Sequence, residues 1–150
     1  YLKLFNMKIV IVSVGKLKNI SIINMCNDFK QRISHSAKID EVVIKDSENK
    51  IENKKILSYL NKDSAYKIAL SADGEAYSSK GFSQIISNVN YQKFTFVIGG
   101  PEGLTQETKK ECDKTISLSS MTFTHEMAKM ILFEQIYRSI TILQNKKYHK

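Results

Sequence analysis

Gly99-Gly100-Pro101-Glu102-Gly103 follows directly on a short apolar run, Phe94 to Ile98. Paired glycines let the backbone take positive φ and let another group approach it closely. A tight turn explains the same residues, and on local pattern alone it is the simpler reading. The run is neither the G-x-G-x-x-G dinucleotide fingerprint nor the G-x-x-x-x-G-K-[ST] phosphate loop, and Glu102 would repel a phosphate. A ligand here is therefore expected to be a nucleoside held by backbone amides and carbonyls. A second stretch, Ser117-Leu118-Ser119-Ser120-Met121-Thr122, alternates hydroxyls with apolar side chains. It can offer backbone groups to a base edge and side chains to a flat ring; Ser and Thr also cap helices, and both roles can hold together.

The three histidines do not form a metal set, because no pair has ligand spacing, and no metal is expected. His35 sits in a polar stretch and reads as surface; His125 opens the last helical segment; His149 lies in the tail Asn145-Lys146-Lys147-Tyr148-His149-Lys150. No G-x-S-x-G elbow is present. Glu134 and Arg138 are spaced i,i+4, and as a surface pair they would contribute only about 0.2–0.5 kcal/mol. The tail mixes cations with rings that stack on bases, which suits single-stranded RNA, although chain ends of this kind also fray.

These residues need a frame. Lys8 to Val14 is a continuous, β-branched apolar run ending at Gly15, as expected of a strand covered on both faces. Asn19 to roughly Ser34 has helical spacing. Ile39 to Lys45 is a second strand, Asp46 to Lys50 a polar loop, and a helix follows through Leu60. Ala65 to Ala72 is a third strand, closed by the turn signal Asp73-Gly74. Lys80 to Val89 is helical, Phe94 to Ile98 a fourth strand, Leu104 to about Cys112 a short helix and Thr115 to Leu118 a fifth strand. Strands alternating with helices predict an α/β fold with a parallel sheet and helices on both faces. In such sheets ligands sit beyond the carboxyl ends of the strands, which selects the loops after Leu70, Ile98 and Leu118. The last helix carries Met130, Leu132, Phe133, Ile136, Tyr137, Ile140 and Leu143 on one arc, yet Met127, Ile131 and Ile142 interleave with Glu134, Gln135 and Arg138. A second apolar face points to a homodimer; a helix buried within one chain is the alternative.

The 150 residues suffice for one domain. A composition 42% hydrophobic and 25% charged is globular rather than disordered. The net charge of +8 favours an anionic partner, beyond its plain effect on solubility. Cys26 and Cys112 form no C-x-x-C and read as reduced thiols of a cytoplasmic protein. No apolar run approaches the roughly 20 residues that cross a bilayer, so no membrane partner is expected. Residues 1–6 read as an N-terminal extension, with a single domain over 7–150.

FVIGGPEGL, SLSSMTF, H-x-x-A, LFEQIYRSITIL and the terminal YHK together resemble the RlmH family of small SPOUT-class methyltransferases. Upstream, Val10 to Lys18 is similar to the family's first strand and turn, and Ala69-Leu70 with Gly74, Ser78-Ser79 and Phe82 to its middle loop. The resemblance spans about Met7 to Lys150. It implies a SPOUT fold with a C-terminal trefoil knot, a homodimer paired through the knotted region, and S-adenosylmethionine as methyl donor. It also implies an activity: methylation of N3 of a pseudouridine in 23S ribosomal RNA, within the assembled ribosome. By motif, the cofactor contacts are Leu70, Gly100 and Ser117, Leu118, Ser119, Ser120, Met121 and Thr122. Tyr148, His149, Lys150 and His125 fall on the RNA side, with Arg138 near the target base and the tail completing the partner subunit's site. N3 bears a proton and becomes nucleophilic only when it leaves, so a base or a cation is needed; His149 is the candidate base and Arg138 the candidate cation. Four positions depart from the family pattern. Thr124 replaces a proline, and as a cap it should serve. Lys129 replaces an arginine, losing the bidentate fork for phosphate. Ser71 and Glu75 replace Asp and Lys in the middle loop. The competing readings are a non-catalytic RNA-binding or ribosome-binding module and a SPOUT methyltransferase acting on another RNA such as tRNA.

Overall fold

Alternate residues of the run at Lys8–Val14 serve two different cores, which is why the run has no polar face. Ile9 and Ile11 join one core, with Ile68, Phe94 and Phe96; Val10, Val12 and Val14 join the other, with Ala69 and Val97. The structure is a computed structural model describing residues 6–150. The extension expected at residues 1–6 therefore lies, except for Asn6, outside the described residues.

The elements run β1 (Lys8–Val14), α1 (Ile20–Ser34), β2 (Lys38–Ile44), α2 (Asn49–Leu60), β3 (Tyr66–Ala76), α3 (Ser79–Asn88), β4 (Lys93–Ile98), α4 (Gln106–Lys110), β5 (Lys114–Ser117) and α5 (His125–Leu143). The five strands form one sheet in the order β2-β1-β4-β3-β5, and every pairing is parallel. The expected α/β architecture is thus present. Its layers are unequal. α1, α3 and α5 bury Phe29, Ile33, Phe82, Ile86, Phe133 and Ile136 on one face. The other face is covered by α2, through Ile56 and Leu60, with Leu104 beside them.

Two elements differ from the sequence reading. β3 does not stop at Ala72; it continues to Ala76 across a bulge, with Leu70 and Glu75 both opposite Ile116. Gly74 makes this possible. A Cβ there would lie 2.6 Å from the Ile116 carbonyl carbon, so the missing side chain lets two backbones touch where a turn was expected. α4 is shorter than Leu104 to Cys112, because Thr105 caps it by accepting from the Thr108 amide.

α5 packs between α1 and α3, so part of its second apolar face is covered within the chain, while Met127 stays exposed. Lys129, which stands where the family pattern has an arginine and is not expected to recognise phosphate as a planar fork, is turned inward. Its ammonium lies 2.7 Å from Glu41 and 3.0 Å from the Ser13 hydroxyl, with Lys30 3.1 Å from the same carboxylate. A second internal carboxylate, Asp63, is held by Lys93 at 2.8 Å, Thr95 and the Ala65 amide. Burial pushes both carboxyl groups up, but the bonds from Lys129 and Lys30, and from Lys93 and Thr95, outweigh it and hold both below their ordinary values of 4.5 and 3.8. A carboxylate with a depressed folded-state pKa stabilises fully above its unfolded value and loses that contribution as pH falls. Acid unfolding should therefore begin as pH drops through 4.5 toward 3.8, and a denaturant midpoint followed between pH 7 and 3 checks it. Lys129→Met should cost about 2 kcal/mol, since it strips Glu41 of its shorter partner inside the fold. Adding Glu41→Leu should recover most of that loss, read by the same denaturation.

Candidate methyl-donor cleft and C-terminal cluster

All strands point the same way, so the loops after β3, β4 and β5 gather at one edge. They enclose a cleft of ≈ 670 Å³ bounded by Leu70 to Ala72, Ile98 to Leu104, Leu118 and Ser119, and Met121 to His125, with Ala128 from α5. That is within the range of about 300–1,000 Å³ that takes an organic ligand.

The glycine loop owes its shape to close contacts. A Cβ at Gly99 would lie 2.5 Å from the Gly103 carbonyl carbon, and one at Gly100 would lie 2.9 Å from Glu52 Oε1 and 3.3 Å from Val14. Gly103 has φ +76, and its amide donates to the Gly100 carbonyl at 2.9 Å. The loop is a tight turn, and it also forms a wall of the cleft.

What fixes this turn went unread in the sequence. Asn49, Asn53, Ile56 and Leu60 are spaced i, i+4, i+7 and i+11 along α2, so two amides share the helix's inward face with two apolar side chains. Asn49 Nδ2 donates to the Gly103 carbonyl at 3.0 Å. Asn53 Oδ1 accepts from the Thr105 amide at 2.9 Å and from the Thr108 hydroxyl at 2.8 Å. Glu52, buried, accepts from the Ser47 amide at 2.9 Å. Two asparagines interrupting an otherwise apolar stripe were the available signal. Asn53→Ala leaves buried donors without an acceptor, at a cost of about 1–3 kcal/mol, and should weaken donor binding about tenfold. A binding titration alongside thermal unfolding checks both.

The second wall is built from hydroxyls that satisfy their own loop. The Ser119 hydroxyl accepts from the Met121 amide at 3.0 Å, and Ser117 donates to the Ser119 carbonyl at 2.8 Å. Thr124 caps α5, accepting from the Met127 amide at 3.2 Å, as expected in place of proline. Of the sequence-predicted contacts, Leu70, Gly100, Leu118, Ser119, Met121, Thr122 and His125 line the cleft. Ser117 is tucked beneath it, lining a smaller neighbouring cavity of ≈ 120 Å³, and Ser120 is exposed without lining it. The lining contains no Lys or Arg, and Glu102 is its one carboxylate.

The middle loop carries its own pairs. Ser71 donates to Asp73, which Lys109 meets at 3.0 Å, while Lys114 meets Tyr77 at 2.6 Å and Glu75 at 3.6 Å. Ser71 and Glu75 are thus bound into the loop.

The tail forms a separate cluster. Glu134 is its hub, taking both Arg138 and the Tyr148 hydroxyl, the latter at 3.1 Å. Arg138 stacks 4.8 Å above the Tyr148 ring, and Tyr148 meets Tyr137 edge-on at 4.9 Å. Hydrogen bonding to Glu134 raises the Arg138 pKa further. Burial, then Glu134, raises that of Tyr148. Glu134 and Arg138 have side chains only 20% and 24% exposed, so they are more than a solvent-facing pair. His149 Nδ1 lies 3.2 Å from Arg138 Nη1. A guanidinium only donates, so Nδ1 accepts, and the neutral ring carries its proton on Nε2. Lys150 is exposed. Ala128 is the last cleft-lining residue of α5, and Arg138 follows 10 residues later, about 15 Å along the helix axis, so the tail cluster is separate from the cleft along α5.

Cys26 and Cys112 are free thiols, which burial pushes up to about 11. Among the described residues, no group of three His, Cys, Asp or Glu side chains could hold a metal ion, and no helix is long and apolar enough to cross a membrane.

This arrangement has relatives. Residues 7–149 match the family described as predicted SPOUT methyltransferase. The chain is 37% identical over 154 residues to the ribosomal RNA large subunit methyltransferase H of Caldicellulosiruptor bescii, covering 95% of this chain and 99% of that one. It is 39% identical over 140 residues to the protein of the same name from Prochlorococcus marinus, covering 93% and 94%. Among solved structures it superposes on a probable methylase family protein from Haemophilus influenzae with a TM-score of 0.56, at 15% identity, over 98% of this chain and 71% of that one; at that identity the likeness speaks for the fold alone. Family match, full-length relatives and parallel sheet agree: the chain belongs to the SPOUT methyltransferase family, alongside the relatives named ribosomal RNA large subunit methyltransferase H.

Proposed function

We propose that this protein is an S-adenosylmethionine-dependent methyltransferase that methylates N3 of a pseudouridine in the 23S RNA of the bacterial large ribosomal subunit, working as a homodimer in the cytoplasm. Its relatives' names supply the ribosomal substrate. The observation that carries the donor is the cation-free cleft walled by a glycine turn and a hydroxyl-rich loop. It suits a nucleoside that lacks phosphates, and Glu102 has the sign that attracts a sulfonium or an ammonium group.

The bound donor would supply an electrophilic methyl group; the chain's own residues do the rest. Gly99 and Gly100 let the turn close onto Gly103 and pack against Glu52 and Val14, which sets the shape of the cleft wall. Leu70, Leu118 and Met121 offer apolar surface to a ring, and the backbone from 117 to 122 offers donors and acceptors to its edge. His125 stands at the start of α5 on the cleft wall. Arg138 is the cation for the negative charge that forms on the acceptor ring when N3 loses its proton. His149 as base must first release Nδ1 from Arg138; while that bond lasts, Nε2–H donates to an acceptor carbonyl instead. The separation of about 15 Å along α5 between cleft-lining Ala128 and Arg138 supports a composite site, in which the tail of one subunit serves the cleft of the other. The C-terminal trefoil knot is part of the same reading, carried by the family resemblance alone, and the shared sheet supports a single domain from Met7 to Lys150.

Calorimetric titration with S-adenosylmethionine tests the donor assignment. One site per chain, competed by S-adenosylhomocysteine and weakened about tenfold in Asn53→Ala, is the expected result. No heat at millimolar donor would favour a non-catalytic RNA-binding module.

A further inference from the structure

An RNA substrate poses a problem for this cleft, because its lining holds no Lys or Arg and does hold Glu102. The phosphates flanking the target must find cations outside it. Several nearby candidates are already engaged. Lys109 is paired with Asp73 and Lys114 with Tyr77 and Glu75, Arg138 is paired with Glu134, and Lys129 is internal.

The loop between β1 and α1 differs. It follows Val14, whose side chain would lie 3.3 Å from a Cβ at Gly100, so it starts beside the glycine turn. It is fixed at both ends. The Gly15 amide donates to the Ile44 carbonyl at 2.8 Å. The Lys18 and Asn19 amides both donate to Glu126, the residue after cleft-lining His125. Between these anchors Lys16 and Lys18 are exposed, and among the described residues neither ammonium has an ion pair or hydrogen bond. A loop fastened to the first turn of α5 thus holds two unpaired cations at the cleft's β1 edge with its backbone already ordered.

We propose that Lys16 and Lys18 are the RNA-phosphate contacts of this enzyme on the β1 side of the cleft, and that Glu126 holds them in place. The inference rests on the RNA substrate named above. Two phosphate contacts make the binding of RNA steeper in salt, each adding nearly one unit to the slope of log affinity against log salt. Glu126 acts only through the loop it fastens.

The test measures binding of unmethylated ribosomes by the full-length protein across a salt series, with methyl transfer scored in parallel. Lys16→Gln/Lys18→Gln should weaken ribosome binding about tenfold and reduce the salt slope by about two, leaving S-adenosylmethionine affinity unchanged. Lys16→Arg/Lys18→Arg should restore binding. Lys54→Gln/Lys55→Gln removes the same charge from the exposed side of α2 and should change little. Unaltered binding by the Lys16/Lys18 variant overturns the inference, as does an equal loss in the Lys54/Lys55 control, which would report net charge alone. Ribosome binding that depends on Lys16 and Lys18, without methyl transfer by the wild type, would instead count against the proposed catalytic function.

Discussion

Gly99→Ala is expected to abolish methyl transfer, lowering kcat/KM by at least about 100-fold. The new Cβ would sit 2.5 Å from the Gly103 carbonyl carbon, a distance that no rotamer change relieves because the obstacle is backbone. The turn must open, and a shift of about 1 Å in a positioning element is enough for a loss of that size. Overpacking should also lower stability by about 1–3 kcal/mol. Gly103→Ala provides the contrast. Its Cβ meets nothing within 4 Å, and only φ +76 opposes it, a cost of about 1–2 kcal/mol. Donor titration and thermal unfolding on both variants separate the effects: Gly99→Ala should lose donor binding, whereas Gly103→Ala should lose mainly stability. Equal donor affinity in the two variants would show that the glycine turn does not shape the donor site.

The second large effect is expected at the other end of α5. Arg138→Ala should lower turnover by about 10²–10³-fold, the range for removing one group aimed at developing charge, while donor affinity stays within about twofold. Arg138 follows cleft-lining Ala128 by about 15 Å along α5, so turnover should fall without a loss of donor binding, and the complementation below decides which subunit's cleft it serves. Deleting residues 148–150 should act the same way, removing the ring that Arg138 stacks on and the histidine at 3.2 Å from it. A chain carrying Gly99→Ala with an intact tail, mixed with a chain lacking 148–150 but with an intact cleft, should regain activity in the heterodimer. Failure of two inactive but folded chains to complement would place cleft and tail in the same subunit's service. His149→Ala with full turnover at neutral pH would remove His149 from proton transfer and leave Arg138 to stabilise an anion formed without it.

The sequence made the sheet legible because β1 and β4 are apolar on both faces, a pattern that suits covered parallel strands. The element order then placed the loops after Leu70, Ile98 and Leu118 at one edge, where the cleft is found. Three features resisted reading. Asp73-Gly74 has the composition of a turn, but the structure uses its missing side chain for a backbone contact with Ile116, a long-range event that no local pattern announces. Lys129 reads only as a lysine in place of the family's arginine, and its burial depends on Glu41 and Ser13 from distant strands. Asn49 and Asn53 read as ordinary polar residues of a modest helix; their importance appears only once the turn at Gly103 is packed against them. In each case the partner lies more than 40 residues away, beyond the reach of periodicity.

The most direct measurement is transfer of a labelled methyl group from S-adenosylmethionine to assembled ribosomes, free 23S RNA and tRNA in parallel, with the product nucleoside identified by mass spectrometry. Label on N3 of a 23S pseudouridine, strongest with assembled ribosomes and absent in Gly99→Ala, is the predicted result. Label on tRNA, or none on any RNA from a protein that binds the donor, would contradict it.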